Sequence, residues 1–298
     1  MLFQEKDVIC FLGDSMTAGG YWMAEAYQEI RKKVKVKCYN CGVSGSTAYR
    51  AEGYLYSRCL AYNPDWVVVM FGINDIDIIP YDPEYTLPDK QARIDTAMER
   101  YKRSYENLIT KIQEFGAKVI VGIPIPYDEV SSNETPNVMC QRGLDIATAY
   151  AMELAERYHC PVVNFDKVFR PLYPNADVIR ADRVHPTEYG YHMMAQIFLK
   201  ETGVIDTCDF ESEFVFEEWN KKRFEAEQAL HYTNFVQYCA FYDPQNPFAD
   251  RQEIARKVRE ALEKQEDKES FFAKAYREYL EKAPYRDVYQ SEIVKCTI

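Results

Sequence analysis

The chain has 298 residues, 47% of them hydrophobic, with a formal net charge of −11 from 36 basic and 47 acidic side chains. That composition is globular, and excludes a disordered, collagenous or membrane-embedded chain. The basic residues are scattered, so nucleic acid and anionic membrane surfaces are not expected partners, because phosphate contacts need clustered cations.

Along the chain, short β-branched runs alternate with longer helical patterns. Strands are predicted at Val8–Leu12, Val34–Tyr39, Trp66–Phe71, Lys118–Ile123 and Pro161–Phe165. Helices are predicted near Tyr21–Lys32, Thr47–Ala61, Ala92–Phe115, Gly143–Tyr158 and Thr187–Lys200. Strict β–α alternation implies crossover connections and a parallel sheet. The unbroken apolar run Trp66–Phe71 suits a strand covered on both faces. The expected fold is therefore a three-layer α/β/α sandwich with a five-stranded parallel sheet over residues 1–205. Residues 206–298 read as a helical C-terminal extension without strands, rich in aromatics such as Trp219, Phe224, Tyr232 and Phe235. Asp250 and Glu253 look like a capping pair that opens a new helix within it, with Ile254, Val258 and Leu262 on one face.

Nine cysteines, an odd number at irregular spacing, argue against a disulfide framework and for a reducing compartment. Cys38-x-x-Cys41 stands alone, without a second pair at zinc-finger spacing, and reads as structural or incidental. No basic segment precedes a long apolar one at the N-terminus, and no apolar run approaches the roughly 20 residues of a membrane helix. A cytoplasmic location is the expectation.

Four segments carry chemistry. Gly13-Asp14-Ser15-Met16 falls between the first strand and the first helix. A hydroxyl there sits at the carboxyl edge of the sheet beside a helix N-terminus, which suits a nucleophile whose substrate develops an oxyanion. Ser15 equally suits an ordinary helix N-cap. Gly42-Val-Ser-Gly45 follows the second strand, and Gly72-Ile-Asn74-Asp75 follows the third. The N–H of Gly45 and the side-chain amide of Asn74 are candidates to join the N–H of Ser15 as oxyanion donors, although both segments are also ordinary turn sequences. Asp182-Arg-Val-His185-Pro precedes the last core helix, and its spacing lets a carboxylate orient an imidazole within one loop. His159 lies at the amino edge, His192 two turns into the last helix as packing or solvated, and His231 among aromatics of the extension. Two long loops, Asp75–Gln91 and Pro124–Gln141, follow strands and are candidate pocket walls.

Together these segments resemble the SGNH hydrolases, also called the GDSL lipase/esterase family, over residues 1 to about 200. The nucleophile block carries Met16 where Leu is usual. The resemblance implies a flavodoxin-like fold with the nucleophile near the topological switch point. It further implies acyl transfer to water, with Ser15 attacking, His185 as base and Asp182 orienting it. Ser15, Gly45 and Asn74 would hold the oxyanion. No metal or organic cofactor is needed. No Gly-x-Ser-x-Gly elbow, Walker loop or dinucleotide glycine fingerprint occurs.

The expected partner is a small soluble ester, an O-acetylated carbohydrate included. The alternatives are a lysophospholipase or thioesterase of the same family, or a non-catalytic ligand-binding or scaffold protein that retains the fold. The C-terminal helices are candidates for a lid, a structural cover or a homo-oligomer contact.

Overall fold

The computed structural model describes residues 1–132, 135–173 and 176–212. Most of the expected C-terminal extension, with His231 and the Asp250–Glu253 capping pair, lies outside the described residues.

Five strands, β1 (Val8–Gly13), β2 (Lys37–Asn40), β3 (Trp66–Met70), β4 (Lys118–Ile123) and β5 (Val162–Asn164), form one parallel sheet in the order β2-β1-β3-β4-β5. Seven helices among the described residues flank it: α1 (Ser15–Ala18), α2 (Tyr21–Arg31), α3 (Ala48–Arg58), α4 (Lys90–Glu114), α5 (Gln141–Arg157), α6 (Asp166–Phe169) and α7 (Glu188–Glu201). Helix α2 packs on α7, while α3, α4 and α5 pack side by side. The fold is the expected three-layer, flavodoxin-like α/β/α sandwich.

Side-chain alternation along β1 serves both layers. Phe11 meets Trp22 of α2 and Phe198 of α7 at 5.3 and 5.6 Å between ring centroids. Cys10 points to the other side, against the C-terminal end of α3. Strand β3 is buried at every position, as its apolar run required.

Three local features differ from the sequence expectation. The second strand starts at Lys37 rather than Val34, because the pairing with β1 begins at Val8 opposite Lys37. Val34 instead closes the end of α2 through its N–H to Ile30 O. The expected first helix is α2, but a further short helix, α1, precedes it, separated from it by Gly20 in a left-handed conformation (φ 75°). The loop after β3 contains a 3-10 turn, Ile79–Tyr81, whose buried Tyr81 packs against Gly143 of α5.

His192 is neither solvated nor simple packing. It is buried on α7, with Nδ1 2.9 Å from the carboxylate of the buried Glu25 on α2 and Nε2 3.0 Å from Asp209 O. Gln196 donates to the same carboxylate at 2.8 Å and accepts from Asp209 N–H at 3.0 Å. Both ring nitrogens face acceptors, so the imidazolium satisfies the site and the neutral ring leaves one contact unmade. The hydrogen bond to Glu25 is the main cause that raises the His192 pKa, against the opposing effect of burial. A raised folded-state pKa stabilises fully below the unfolded value of about 6.5 and loses that contribution as pH rises through the folded value. The stability gap between wild type and His192→Gln in urea is therefore expected to be widest below about pH 6.5 and to shrink above it. A gap constant across neutral pH would contradict the pairing.

Candidate active site

The strand order reverses at β1: the chain goes outward to β2 and then crosses to β3. Ligands in open α/β sheets bind beyond the carboxyl ends of strands at such a switch point. Ser15 follows β1, Gly45 follows β2 and Asn74 follows β3, so all three occupy this edge.

Asp14 is the residue that caps α1, accepting the Met16 N–H at 3.0 Å through Oδ1. The side chain of Ser15 is thereby released from capping. Its Oγ lies 2.7 Å from Nε2 of His185. Nδ1 of His185 lies 2.9 Å from Oδ2 of Asp182. Oδ1 of the same carboxylate accepts the N–H groups of Val184 and His185, at 3.0 and 2.8 Å. Burial alone would raise the Asp182 pKa, but these N–H groups and the imidazole outweigh it and hold the carboxyl below its usual range. An imidazole between a hydroxyl and a fixed carboxylate has the geometry for taking the hydroxyl proton.

Asp182 and His185 meet because their loop is pinched shut. Ile179 bridges Pro186, Arg180 N–H donates to His185 O at 2.7 Å, and Thr187 N–H donates to Val178 O at 3.1 Å. Thr187 then caps α7 through the Gly190 N–H.

Sequence reasoning passed over Arg183, which lies between the two. It is 4% exposed and adopts a left-handed backbone (φ 69°), a conformation that costs a non-glycine residue about 1–3 kcal/mol. Its guanidinium donates to Thr135 O at 2.8 Å and to Asp128 O and Ser131 O at 3.0 Å each, and Asp128 N–H returns a bond to Arg183 O at 2.9 Å. These bonds fasten the long loop after β4 to the loop that bears His185. The signal was a basic residue inside an otherwise turn-like stretch, and nothing local shows that it is buried. Arg183→Ala is expected to cost about 3 kcal/mol of stability and to lower kcat by about 100-fold with a smaller change in KM. Arg183→Gly fits the backbone but lacks the fork. Full recovery of kcat in that variant would mean that backbone strain, not the guanidinium, is what the position supplies.

Asn74 donates through Nδ2 to Ser46 O at 3.1 Å and to Oδ2 of Asp14 at 3.4 Å. Its amide is thus tied to the segment of Gly45 on one side and to the cap of α1 on the other. Gly45 is exposed with φ 71°, a left-handed turn. Gly42 abuts the backbone of Thr17 and Ala18 too closely for any Cβ. Among the described residues, no protein acceptor takes the N–H of Ser15 or Gly45.

Two buried carboxylates stand behind the site. Burial pushes Asp14 up to about 6, partly offset by the Met16 N–H and the charge of His185. Burial pushes Asp75 up to about 8, with the Ala48 N–H opposing and the charge of Asp14 adding. Asp75 Oδ1 accepts that Ala48 N–H at 2.8 Å and so joins the loop after β3 to the start of α3, while its Oδ2 has no partner among the described residues. His159 is exposed in the turn before β5, at the opposite edge.

Residues 11–193 match the GDSL-like Lipase/Acylhydrolase family. The chain belongs to this family. This GDSL-type hydrolase is 26% identical over 213 residues to an acetylxylan esterase of Geobacillus stearothermophilus, covering 65% of this chain and 93% of that one. The crystal structure of the acetylxylan esterase from that organism superposes with a TM-score of 0.57 at 22% identity, over 68% of this chain and 97% of the other. A gut microbial diltiazem-metabolizing enzyme gives a TM-score of 0.59 at 22% identity over 67% of this chain, which spans 48% of that protein. An α/β hydrolase from the metagenome of Lake Arreo, Spain, gives 0.56 at 20% identity, over 68% of this chain and 98% of the other. The protein is an SGNH-type carboxylic ester hydrolase. No helix among the described residues is long and apolar enough to cross a membrane.

Proposed function

We propose that the protein deacylates a small soluble ester, an O-acetylated carbohydrate being the favoured class, through Ser15, His185 and Asp182. The observation that carries this reading is the unbroken contact from Ser15 Oγ to His185 Nε2, 2.7 Å, and from His185 Nδ1 to Asp182, 2.9 Å. His185 takes the hydroxyl proton as Ser15 Oγ bonds to the ester carbonyl carbon. The N–H groups of Ser15 and Gly45 stabilise the oxyanion, joined by the Asn74 amide when its long 3.4 Å contact to Asp14 gives way. Collapse breaks the bond to the alcohol, which leaves with the proton from His185. Water, deprotonated by His185, then attacks the acyl-enzyme and releases the carboxylic acid and free Ser15.

Two observations support the carbohydrate class. The relative noted above is an acetylxylan esterase. Tyr21, Tyr49 and Tyr189 each stand in the first turn of a helix at the carboxyl edge and are 44%, 42% and 45% exposed, unusual for aromatic rings and suited to lie against sugar faces. The test is an ester panel graded from acetyl to long acyl chains that includes acetylated xylo-oligosaccharides. The expected order has kcat/KM highest for acetyl esters and falling with chain length. A preference for long chains would replace this reading with a lysophospholipase or long-chain thioesterase.

A further inference from the structure

Cys10 in the middle of β1, Cys41 just after β2 and Cys59 at the end of α3 are brought together by the fold. All three side chains are fully shielded from solvent, and their three Sγ atoms lie within 4.8 Å of one another. Cys38, the other half of the CxxC pair, is not part of the group. The Cys10 thiol lies 3.6 Å from Cys59 O, and that of Cys41 lies 3.8 Å from Tyr39 O. Burial, followed by contact with the neighbouring thiol groups, pushes Cys10 well above the ordinary thiol range, and burial does the same to Cys59. The trio lies under the oxyanion-side segment: Cys41 N–H bonds to Phe11 O and Val43 N–H to Gly13 O, leading directly to Gly45.

We propose that Cys10, Cys41 and Cys59 form a binding site for a neutral trivalent thiophilic metalloid, of which arsenous acid is the simplest example. Each thiol forms one S–As bond and breaks one As–OH bond, and its proton leaves with the hydroxide as water. Three thiols and As(OH)3 give As(S-Cys)3 and three waters, with no change of oxidation state. Three sulfurs about 2.3 Å from a pyramidal trivalent centre lie roughly 3.5 Å apart, so from separations of up to 4.8 Å closing the trio takes up to about 1.3 Å of movement.

Charge selects this ligand class over a metal cation. A divalent ion on three thiolates leaves a net charge of −1, and a monovalent one −2, in a site sealed from water. Burying an uncompensated charge costs several kcal/mol. Capturing a cation also requires raised-pKa thiols to release their protons to solvent, which makes affinity strongly pH-dependent. The metalloid enters neutral and ends neutral, and the thiol protons leave inside the departing water.

The full-length protein, equilibrated with sodium arsenite at about pH 6 and about pH 8 and freed of excess, is expected to retain one arsenic per chain at both values. Native mass spectrometry reads this as a gain of one arsenic less three hydrogens, and X-ray absorption is expected to show three sulfur neighbours and no oxygen. Cys10→Ala and Cys59→Ala are expected to weaken retention by about tenfold or more, with Cys140→Ala and Cys160→Ala unchanged and circular dichroism showing each variant folded. Cys59→Ser replaces any alanine variant that does not fold. No retained arsenic, retention indifferent to Cys10 and Cys59, an oxygen neighbour, or stoichiometric zinc binding by the trio at about pH 6 would each overturn the proposal and leave the three as inert packing thiols.

Discussion

Ser15→Ala is expected to lower kcat for p-nitrophenyl acetate by at least about 10⁴-fold and to leave the fold in place. Among the described residues the hydroxyl makes one side-chain hydrogen bond, the 2.7 Å bond to His185, and the helix cap belongs to Asp14. Losing that contact costs about 1 kcal/mol of stability at most, so the variant should remain folded. The alternative role, a capping serine, predicts a stability loss of similar size, about 1 kcal/mol, but turnover nearly intact. Measuring kcat on a preparation whose urea midpoint shows it folded separates the two. Wild-type turnover in the alanine variant would remove Ser15 from the chemistry.

Asp182→Asn is expected to reduce kcat by about 10⁴-fold through the tautomer of His185. The aspartate oxygen that faces Nδ1 requires a proton there, which leaves Nε2 bare toward Ser15. An asparagine can still accept from the Val184 and His185 N–H groups with its carbonyl oxygen, so the loop should hold. Its NH2 group then faces Nδ1 as a donor and drives the ring proton to Nε2, where the ring can no longer act as a base toward Ser15. The pKa of Asp182 is depressed, so its contribution is present above the unfolded value of about 3.9 and is lost only as pH falls below that value. A loss of activity between about pH 5 and 7 therefore reports other groups than Asp182. A less than tenfold fall in kcat for the asparagine variant would show that Asp182 does not orient the base.

Much of this was legible in the sequence because it is local. The apolar run Trp66–Phe71 suited a doubly covered strand, and β3 is buried throughout. Short β-branched runs alternating with helical patterns pointed to a parallel sheet, and with it the edge at which Ser15, Gly45 and Asn74 had to lie. The three-residue spacing of Asp182 and His185 limited them to one loop. Boundaries were less legible where pairing decides them: Val34 has strand-like chemistry, yet β1 offers it no partner, so it finishes α2 instead.

Other features depend on residues far apart in the chain. That Asp14 rather than Ser15 caps α1 is a matter of backbone geometry at one turn, and both residue types are good caps. The meeting of Ser15 with His185 spans 170 residues. Arg183 looks like a surface cation until the loop after β4 folds over it and supplies three carbonyl oxygens. His192 looks like packing until Glu25 arrives from α2. The cysteines look unrelated until β1, β2 and α3 converge. The sequence by itself determined the layer architecture and the residue types at the sheet edge, because hydrophobic periodicity and turn chemistry act over a few residues. Only the tertiary structure decided which polar groups become partners, because a buried charge or thiol acquires its chemistry from whichever distant groups are packed around it.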